Sequence, residues 1–309
     1  MTMNPDNRDA VVAALKYAAP YIRMYKRKTF VIKAGGELFI NPAKTRAFIE
    51  QVAILHQVGI RIVLIHGAGP QSTQRASESG METRMVNGRR VTDADMIKVS
   101  EAVSREVNLA ITSHCTELDL PAVGLVGADN SLVVASKRSE VEVDGIGLVD
   151  YGFVGDIEKI DSAAIQSTLE QGQLPVISAL SADENGVALN INADTVAAAL
   201  AAKLNAEKLI LATGALGILE DLHDSGSLVS YLDLAGLTRM KVSGALADGM
   251  LPKAQAIEDA ISGGVPRVHV ISFAVSDSLL LEIFTNEGTG TLIVQSIEAL
   301  TEAEQATAQ

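Results

Sequence analysis

The stretch FVIKAGGELF, Phe30 to Phe39, decides how the rest of the chain is read. A short apolar run carries a lysine, Lys33, to its end, and two residues later come two consecutive glycines. Two readings compete. In one, a tight loop follows a buried strand and Lys33 is solvated. In the other, Gly35 and Gly36 leave backbone N–H groups bare for an anion, with the Lys33 ammonium beside them.

The pattern recurs. RIVLIHGAGP, Arg61 to Pro70, is a second apolar run ending in glycines, Gly67 and Gly69, and a helix pattern follows it. A helix N-terminus favours an anion, and in open α/β sheets ligands sit at the carboxyl edge of the strands. Two such loops on successive strands are placed to face each other across one anion. Neither common nucleotide fingerprint fits. GxxxxGK[ST] is absent, and HGAGPQST has Ser72 where GxGxxG needs its last glycine. His66 reads as a packed strand-end residue.

Around these loops, β-type and helical patterns alternate. Arg61–Ile65, Pro175–Ser178, Lys208–Ala212 and Val268–Ile271 are strand-like, as is Phe30–Ile32. Thr45–Val58, Pro70–Glu78, Asp93–Glu117, Ala193–Leu204, Pro252–Ser262 and Ser278–Phe284 are helical. Alternation of this kind predicts a mostly parallel sheet covered on both faces. Thr92 or Asp93 is placed to cap the long helix. Asn87-Gly88 and Asp144-Gly145 are hairpin signals, the second inside a β-rich insert from about Ser131 to Ile157. Residues 9–27 read as an amphipathic helix that Pro20 should break or kink.

The chain has 309 residues and a formal net charge of −13. A field this negative argues against nucleic acid as a partner, because that binding rests on neutralising phosphates. No run reaches the roughly 18 apolar residues of a membrane-spanning helix, so no membrane partner is expected. The polar start MTMNPDNRDA predicts a cytoplasmic protein without a signal peptide. Cys115 is the sole cysteine, which excludes an intrachain disulfide, and no metal cluster is read from the sequence.

Two further clusters carry chemistry. In LNINADTVAAALAAKL, Asn190, Asn192 and Asp194 alternate just before an alanine-rich helix, as cap or as ligand face. In DGMLPKAQAIEDA, Lys253 sits in a helix's first turn, where the dipole disfavours a cation unless an anion is near.

Together these pieces resemble the amino acid kinase family, and within it the kinases that act on N-acetyl-L-glutamate. The likeness runs from about Ala18 to Val294. It is carried by IKAGG, VLIHGAGPQ, NGRRVTDADM, AVGLVGAD, DYGFVGDIEKID, LPVISAL, NINADTVAAALAAKLNAEKLIL, DGMLPKAQAIEDAISGGV and LLLEIFTNEGTGTLI. The resemblance implies a three-layer αβα sandwich around a central, mostly parallel sheet. It implies an oligomerisation helix at 1–28, an acyl-amino acid lobe at 29–180, a nucleotide lobe at 181–295 and a polar tail at 296–309. The implied reaction transfers a phosphoryl group from ATP, with Mg²⁺ held mainly by the phosphates, to the side-chain carboxylate of N-acetyl-L-glutamate.

By the same resemblance, Lys33 and Lys253 stabilise the transferring group and Asp194 holds them. Gly35, Gly36, Gly67, Ala68 and Gly69 cradle the phosphate. Arg90, Asn190 and Asn192 bind the acyl-amino acid, and Thr213, Gly214 and Gly217 belong to the nucleotide lobe. Tyr21, His269, Glu282 and Gly288 match a site for L-arginine as feedback inhibitor. Tyr21, Ile22 and Tyr25 are expected as exposed anchors for a homo-oligomer, dimer or hexamer. The sequence is silent on whether a PII-type signalling protein binds. Departures from the family pattern stand at Ala68, where a positive φ would be strained, and at Gly214, where an aspartate is expected; Ala34 and Glu37 replace commoner choices. Two alternatives remain at this point: a sister kinase for an aminoadipate-type acyl-amino acid, and a degenerate kinase fold that senses arginine.

Overall fold

The structure is a computed structural model, and it describes residues 5–300 except 144, 222, 223, 225, 247 and 287. Asp144 of the second hairpin signal and residues 301–309 of the polar tail lie outside the described residues.

Eight strands form the central sheet: β1 (Thr29–Ala34), β2 (Arg61–His66), β3 (Ala122–Val126), β4 (Leu174–Ser178), β5 (Lys208–Thr213), β6 (Tyr231–Asp233), β7 (Arg267–Ser272) and β8 (Thr291–Val294). Their order across the sheet is β6-β8-β7-β5-β1-β2-β4-β3. All neighbours are parallel except β7 and β8. Residues up to 178 fill one half of the sheet and residues from 208 the other, with β1 next to the junction.

Among the described residues, nine α-helices accompany these strands: α1 (Pro5–Tyr25), α2 (Pro42–Gln57), α3 (Gly69–Glu78), α4 (Ala94–Glu117), α5 (Ser162–Glu170), α6 (Ala193–Lys203), α7 (Leu234–Ser243), α8 (Leu251–Ser262) and α9 (Ser278–Phe284). Side chains alternate across a strand, so the near-continuous apolar runs of β1 and β2 feed two cores. Phe30, Ile32, Ile62 and Leu64 pack with α2, α4 and α9 on one face. Val31, Val63 and Ile65 pack with α5, α6 and α8 on the other. The result is the three-layer sandwich. Because Lys33 has the parity of Val31, its side chain leaves the sheet toward the layer that holds α6 and α8.

The β-rich insert is larger than the sequence indicates. A four-stranded sheet takes residues 133–137 and 155–160 and adds 180–182 and 188–190 from beyond the insert. Asn87 and Gly88 both have positive φ and join two short antiparallel strands, as the hairpin signal requires. Asp93 caps α4 by accepting from the backbone N–H groups of Asp95 and Met96.

Two expectations are corrected at α1. Of the break or kink expected at Pro20, the break is absent: the helix continues through it. Proline there removes the hydrogen bond to the Lys16 carbonyl, which water can satisfy on so exposed a helix. Tyr25 is not an exposed anchor. It is buried edge-on against Phe30, at 5.2 Å between ring centroids, with the Lys208 ammonium over its face. Tyr21 and Ile22 are half-buried, and the exposed apolar side chains are Val11, Val12, Leu15, Tyr17 and Met24.

Candidate active site

The ends of β1 and β2 and the start of α6 meet beside the middle of the sheet. Lys33 Nζ lies 2.9 Å from Asp194 Oδ1, and Lys253 Nζ donates to Asp194 Oδ2 at 2.9 Å. All three residues are buried, each exposing less than a tenth of its surface. The carboxylate thus bridges two ammonium groups and leaves the cluster with one net positive charge.

Local chemistry produces this arrangement. Asn192 caps α6, its carbonyl oxygen accepting from the Asp194 N–H at 2.7 Å, so Asp194 is released from capping and its side chain turns inward. A carboxylate in the first turn of a helix is favoured by the dipole. Lys253, in the first turn of α8, is disfavoured there, and Asp194 is the anion that relieves it. Burial raises the Asp194 pKa, but the Lys33 and Lys253 charges outweigh it and hold the group at about 2. Burial depresses the Lys253 pKa, and Lys33 adds to that, against the pull of Asp194 and Glu37.

The two glycine loops do face each other. A Cβ on Gly36 would lie 2.7 Å from Gln71 Oε1, 3.0 Å from Pro70 Cδ and 3.2 Å from Ala68 Cα, so glycine is needed for the loops to approach. Gln71 ties them, donating from Nε2 to the Gly36 carbonyl at 2.7 Å. A Cβ on Gly35 would run into the Glu37 carboxylate, which folds back over it. Ala68 has φ −138°, so the methyl that departs from the family pattern causes no backbone strain. Gly69 opens α3.

Beside the cluster lies a cavity of about 240 Å³, smaller than the ~300–1,000 Å³ typical of drug-sized sites and suited to a small metabolite. Lys33, Gly67, Ala68, Gly69, Asn190, Asn192 and Asp194 line it. Arg90 lines it too, its Nη2 donating to the Gly69 carbonyl at 3.0 Å and to Thr73 Oγ1 at 2.7 Å. Its Nη1 is buried without a partner among the described residues, a free donor on a cation anchored in place. Asn192 is at the wall with its oxygen engaged in the α6 cap.

Sequence reading missed several walls of this cavity, among them Arg89, Ser72, Ser100 and Ser104. Only Arg89 carried a signal, as the first arginine of NGRRVT. His66 also lines it, buried and held near pKa 4 by that burial, with its Nε2 3.1 Å from Asn108 Nδ2. It is neutral at physiological pH.

Thr213 and Gly214 lie at the carboxyl end of β5, next to β1, and Gly35 donates to the neighbouring Ala212 carbonyl. A Cβ on Gly214 would meet only the Phe273 ring, at 3.6 Å. Gly217 serves packing, since a Cβ there would press on Leu228 and Thr291.

The four residues matched to an effector site are also brought together, in a second cavity of about 660 Å³ between α1 and the β7–α9 region. His269 and Glu282 are buried there, with His269 Nδ1 2.7 Å from Glu282 Oε1 and Lys208 Nζ 2.9 Å from His269 Nε2. The partners assign the tautomer: Nδ1 donates to the carboxylate and Nε2 accepts from the ammonium. Burial and the Lys208 charge lower the His269 pKa. Burial raises that of Glu282, but donation from His269 and from the Thr289 N–H at 2.8 Å brings it below the usual carboxylate range. Gly288 has φ 59°, and Tyr21 donates to Asn286 Oδ1 at 2.6 Å across the cavity. Lys208, Arg267, Tyr231 and Asn286 are lining residues that sequence reading missed.

Residues 28–272 match the sequence profile of the amino acid kinase family. The chain belongs to the amino acid kinase family. Among curated relatives of the family, it is 40% identical over 301 residues to the acetylglutamate kinase of Myxococcus xanthus, covering 96% of each chain. It is 35% identical to that of Moorella thermoacetica, over 95% of this chain and 99% of the relative. Among solved structures, N-acetylglutamate synthase from Neisseria gonorrhoeae superposes with a TM-score of 0.80 at 28% identity. That match takes 92% of this chain and 63% of the synthase, so the present chain spans less than two thirds of it. The synthase has been solved with coenzyme A and N-acetyl-glutamate, and with coenzyme A and L-arginine. A carbamate kinase from Giardia shares the fold alone, with a TM-score of 0.63 at 16% identity. Among the described residues no helix is long and apolar enough to cross a membrane.

Proposed function

We propose that this chain phosphorylates the side-chain carboxylate of N-acetyl-L-glutamate with ATP, giving N-acetylglutamyl phosphate and ADP in arginine biosynthesis. One observation supports it most: a buried Lys33–Asp194–Lys253 bridge opens on a small cavity in which an anchored arginine keeps one N–H free.

The chemistry follows from the charges. The acceptor carboxylate has an ordinary pKa near 4.3 and is ionised at neutral pH, so it needs no general base. The difficulty is to bring an anion up to a polyphosphate and to support the charge that spreads over the equatorial oxygens. Lys33 and Lys253 are held by one carboxylate, so they keep their positions without a ligand and retain surplus positive charge. The N–H groups of Gly35 and Gly67, expected to be bare, are spent on the Ala212 and Ala34 carbonyls. The phosphate cradle therefore rests on those of Gly36, Ala68 and Gly69, and Arg90 takes the carboxylate that does not react. The reacting oxygen forms a bond to the γ-phosphorus as the bond to the β-phosphate oxygen breaks, and ADP leaves with that electron pair.

Residues 29–180 supply the acyl-amino acid side of this site and residues 181–295 the nucleotide side, with Thr213 and Gly214 near the phosphates. Among the described residues no group of three acidic, His or Cys side chains is placed to hold a metal, and both Asp194 oxygens face lysines. The donor set therefore fits Mg²⁺ that arrives on the ATP phosphates, where it neutralises charge. The second cavity binds L-arginine: Glu282 takes the guanidinium, and α1 supplies Tyr21. Val11, Val12, Leu15 and Tyr17 on residues 1–28 mediate a homo-oligomer.

Hydroxylamine trapping tests the reaction. Protein, ATP, Mg²⁺ and N-acetyl-L-glutamate should yield the hydroxamate of the acyl phosphate, and Lys253→Ala should lower kcat far more than it raises KM. No hydroxamate at saturating ATP with this or any related acyl-amino acid would end the kinase reading.

A further inference from the structure

Arg89 and Arg90 are consecutive on one short strand, so their side chains leave it on opposite sides, yet both line the 240 Å³ cavity. They reach it at different places. Arg90 is tied to the start of α3 by Gly69 and Thr73. Arg89 lies half-buried in the field of Arg138, Asp156 and Tyr151, at the margin of the smaller sheet. There Asp156 is already claimed by Arg138, whose Nε is 3.1 and 3.2 Å from its two oxygens. Arg89 itself makes no hydrogen bond or ion pair among the described residues. A half-buried guanidinium loses hydration, and leaving its donors unpaired costs free energy that a ligand oxygen would recover.

The following rests on the proposed reaction. The reacting carboxylate must lie by Lys33 and Asp194, and the other carboxylate belongs to Arg90 Nη1. The portion of the substrate left for Arg89 is the acyl group on nitrogen. We propose that Arg89 is a specificity-determining residue that binds the acyl oxygen, and that its unpaired charge lets this cavity accept acyl groups carrying a carboxylate of their own. The substrate class is thereby widened from N-acetyl- to N-dicarboxylyl-L-glutamates of the succinyl type.

The test compares N-acetyl-, N-propionyl- and N-succinyl-L-glutamate with wild type, Arg89→Met and Arg89→Lys. Hydroxamate kinetics are read alongside calorimetric binding without nucleotide. Wild type should bind the N-succinyl compound within about tenfold of the N-acetyl one. Arg89→Met should weaken the N-succinyl compound roughly ten- to a hundredfold, as expected for a lost hydrogen bond between charged groups. It should weaken the two neutral compounds by less than about tenfold, in KM rather than kcat, and Arg89→Lys should recover part of the N-succinyl affinity. Equal loss for all three compounds, or N-succinyl binding indifferent to Arg89, overturns the assignment while N-acetyl turnover stands. Failure of wild type to bind or turn over N-acetyl-L-glutamate overturns the proposed reaction and this inference with it.

Discussion

At the scale of single residues, the site is one carboxylate serving two lysines. Breaking a buried ion pair by removing one partner costs about 3–5 kcal/mol, since the remaining charge is stranded. Asp194→Asn strands two, so the variant should unfold at markedly lower temperature at pH 7. The pH dependence has a definite sign. The Asp194 pKa is lowered, from 3.8 to about 2, so its stabilising contribution is complete above pH 4 and disappears as pH falls through about 2. Thermal melts from pH 5 to pH 2 should therefore show the wild type converging on Asp194→Asn. Parallel curves across that range would mean that Asp194 is not held ionised by its lysines. Residue types announced this cluster only in part. Lys33 beside two glycines was legible, and so was the awkward Lys253. The bridge itself was legible only through the family resemblance, because the contact joins residues 59 and more positions apart, and the Asn190-Asn192-Asp194 spacing alone reads equally well as a cap. Asn192 is the cap, and that is why Asp194 is free.

Among the elements, those that present whole apolar faces were readable. β1, β2, β4, β5 and β7 are continuous apolar runs, and buried parallel strands need nothing subtler. β3, β6, β8, α5 and α7 were not assigned, because AVGLV, YLD and TLIV are short and α7 carries glycine and polar residues through its middle. The smaller sheet was seen only in part, since strands 180–182 and 188–190 join it from outside the insert. What the elements do for the site is clearest at the contact between the β1 and β2 loops. Gly36→Ala would place a methyl against Gln71, Pro70 and Ala68 at 2.7–3.2 Å. Gln71 could swing aside only by giving up its bond to the Gly36 carbonyl, and the Pro70 ring and Ala68 backbone would still have to shift, so the loops part. Overpacking of this kind costs about 1–3 kcal/mol. We expect Gly36→Ala to lower kcat at least tenfold with a smaller change in the KM for the acyl-amino acid. An active enzyme with wild-type melting temperature would show that the loop contact is not what sets the phosphate cradle.

At the scale of the whole molecule, the two cavities lie at different parts of one sheet, and α1 closes only the second. Tyr21, from α1, reaches Asn286 across it, and Tyr25 packs beside Lys208, whose ammonium meets the His269–Glu282 pair. Any ligand seated there touches both the N-terminal helix and the half of the sheet built from residues 208 onward. An effector changes activity only by binding one arrangement more tightly than another, and a helix that forms one wall of its site gives it that difference. L-arginine titrated against hydroxamate formation should therefore give sigmoidal inhibition if the apolar face of α1 joins protomers. Deleting residues 1–27 should abolish the inhibition and reduce the assembly mass in light scattering. Glu282→Gln keeps the side chain's volume and its place beside His269 while removing the charge that a guanidinium requires. It should shift the arginine curve to at least tenfold higher concentration, the consequence of losing a charge-assisted pair. Flat activity up to millimolar arginine, with no thermal shift in the full-length protein, would leave the second cavity without this ligand. The same flat response with an unchanged assembly mass after deletion would also remove α1 from the interface.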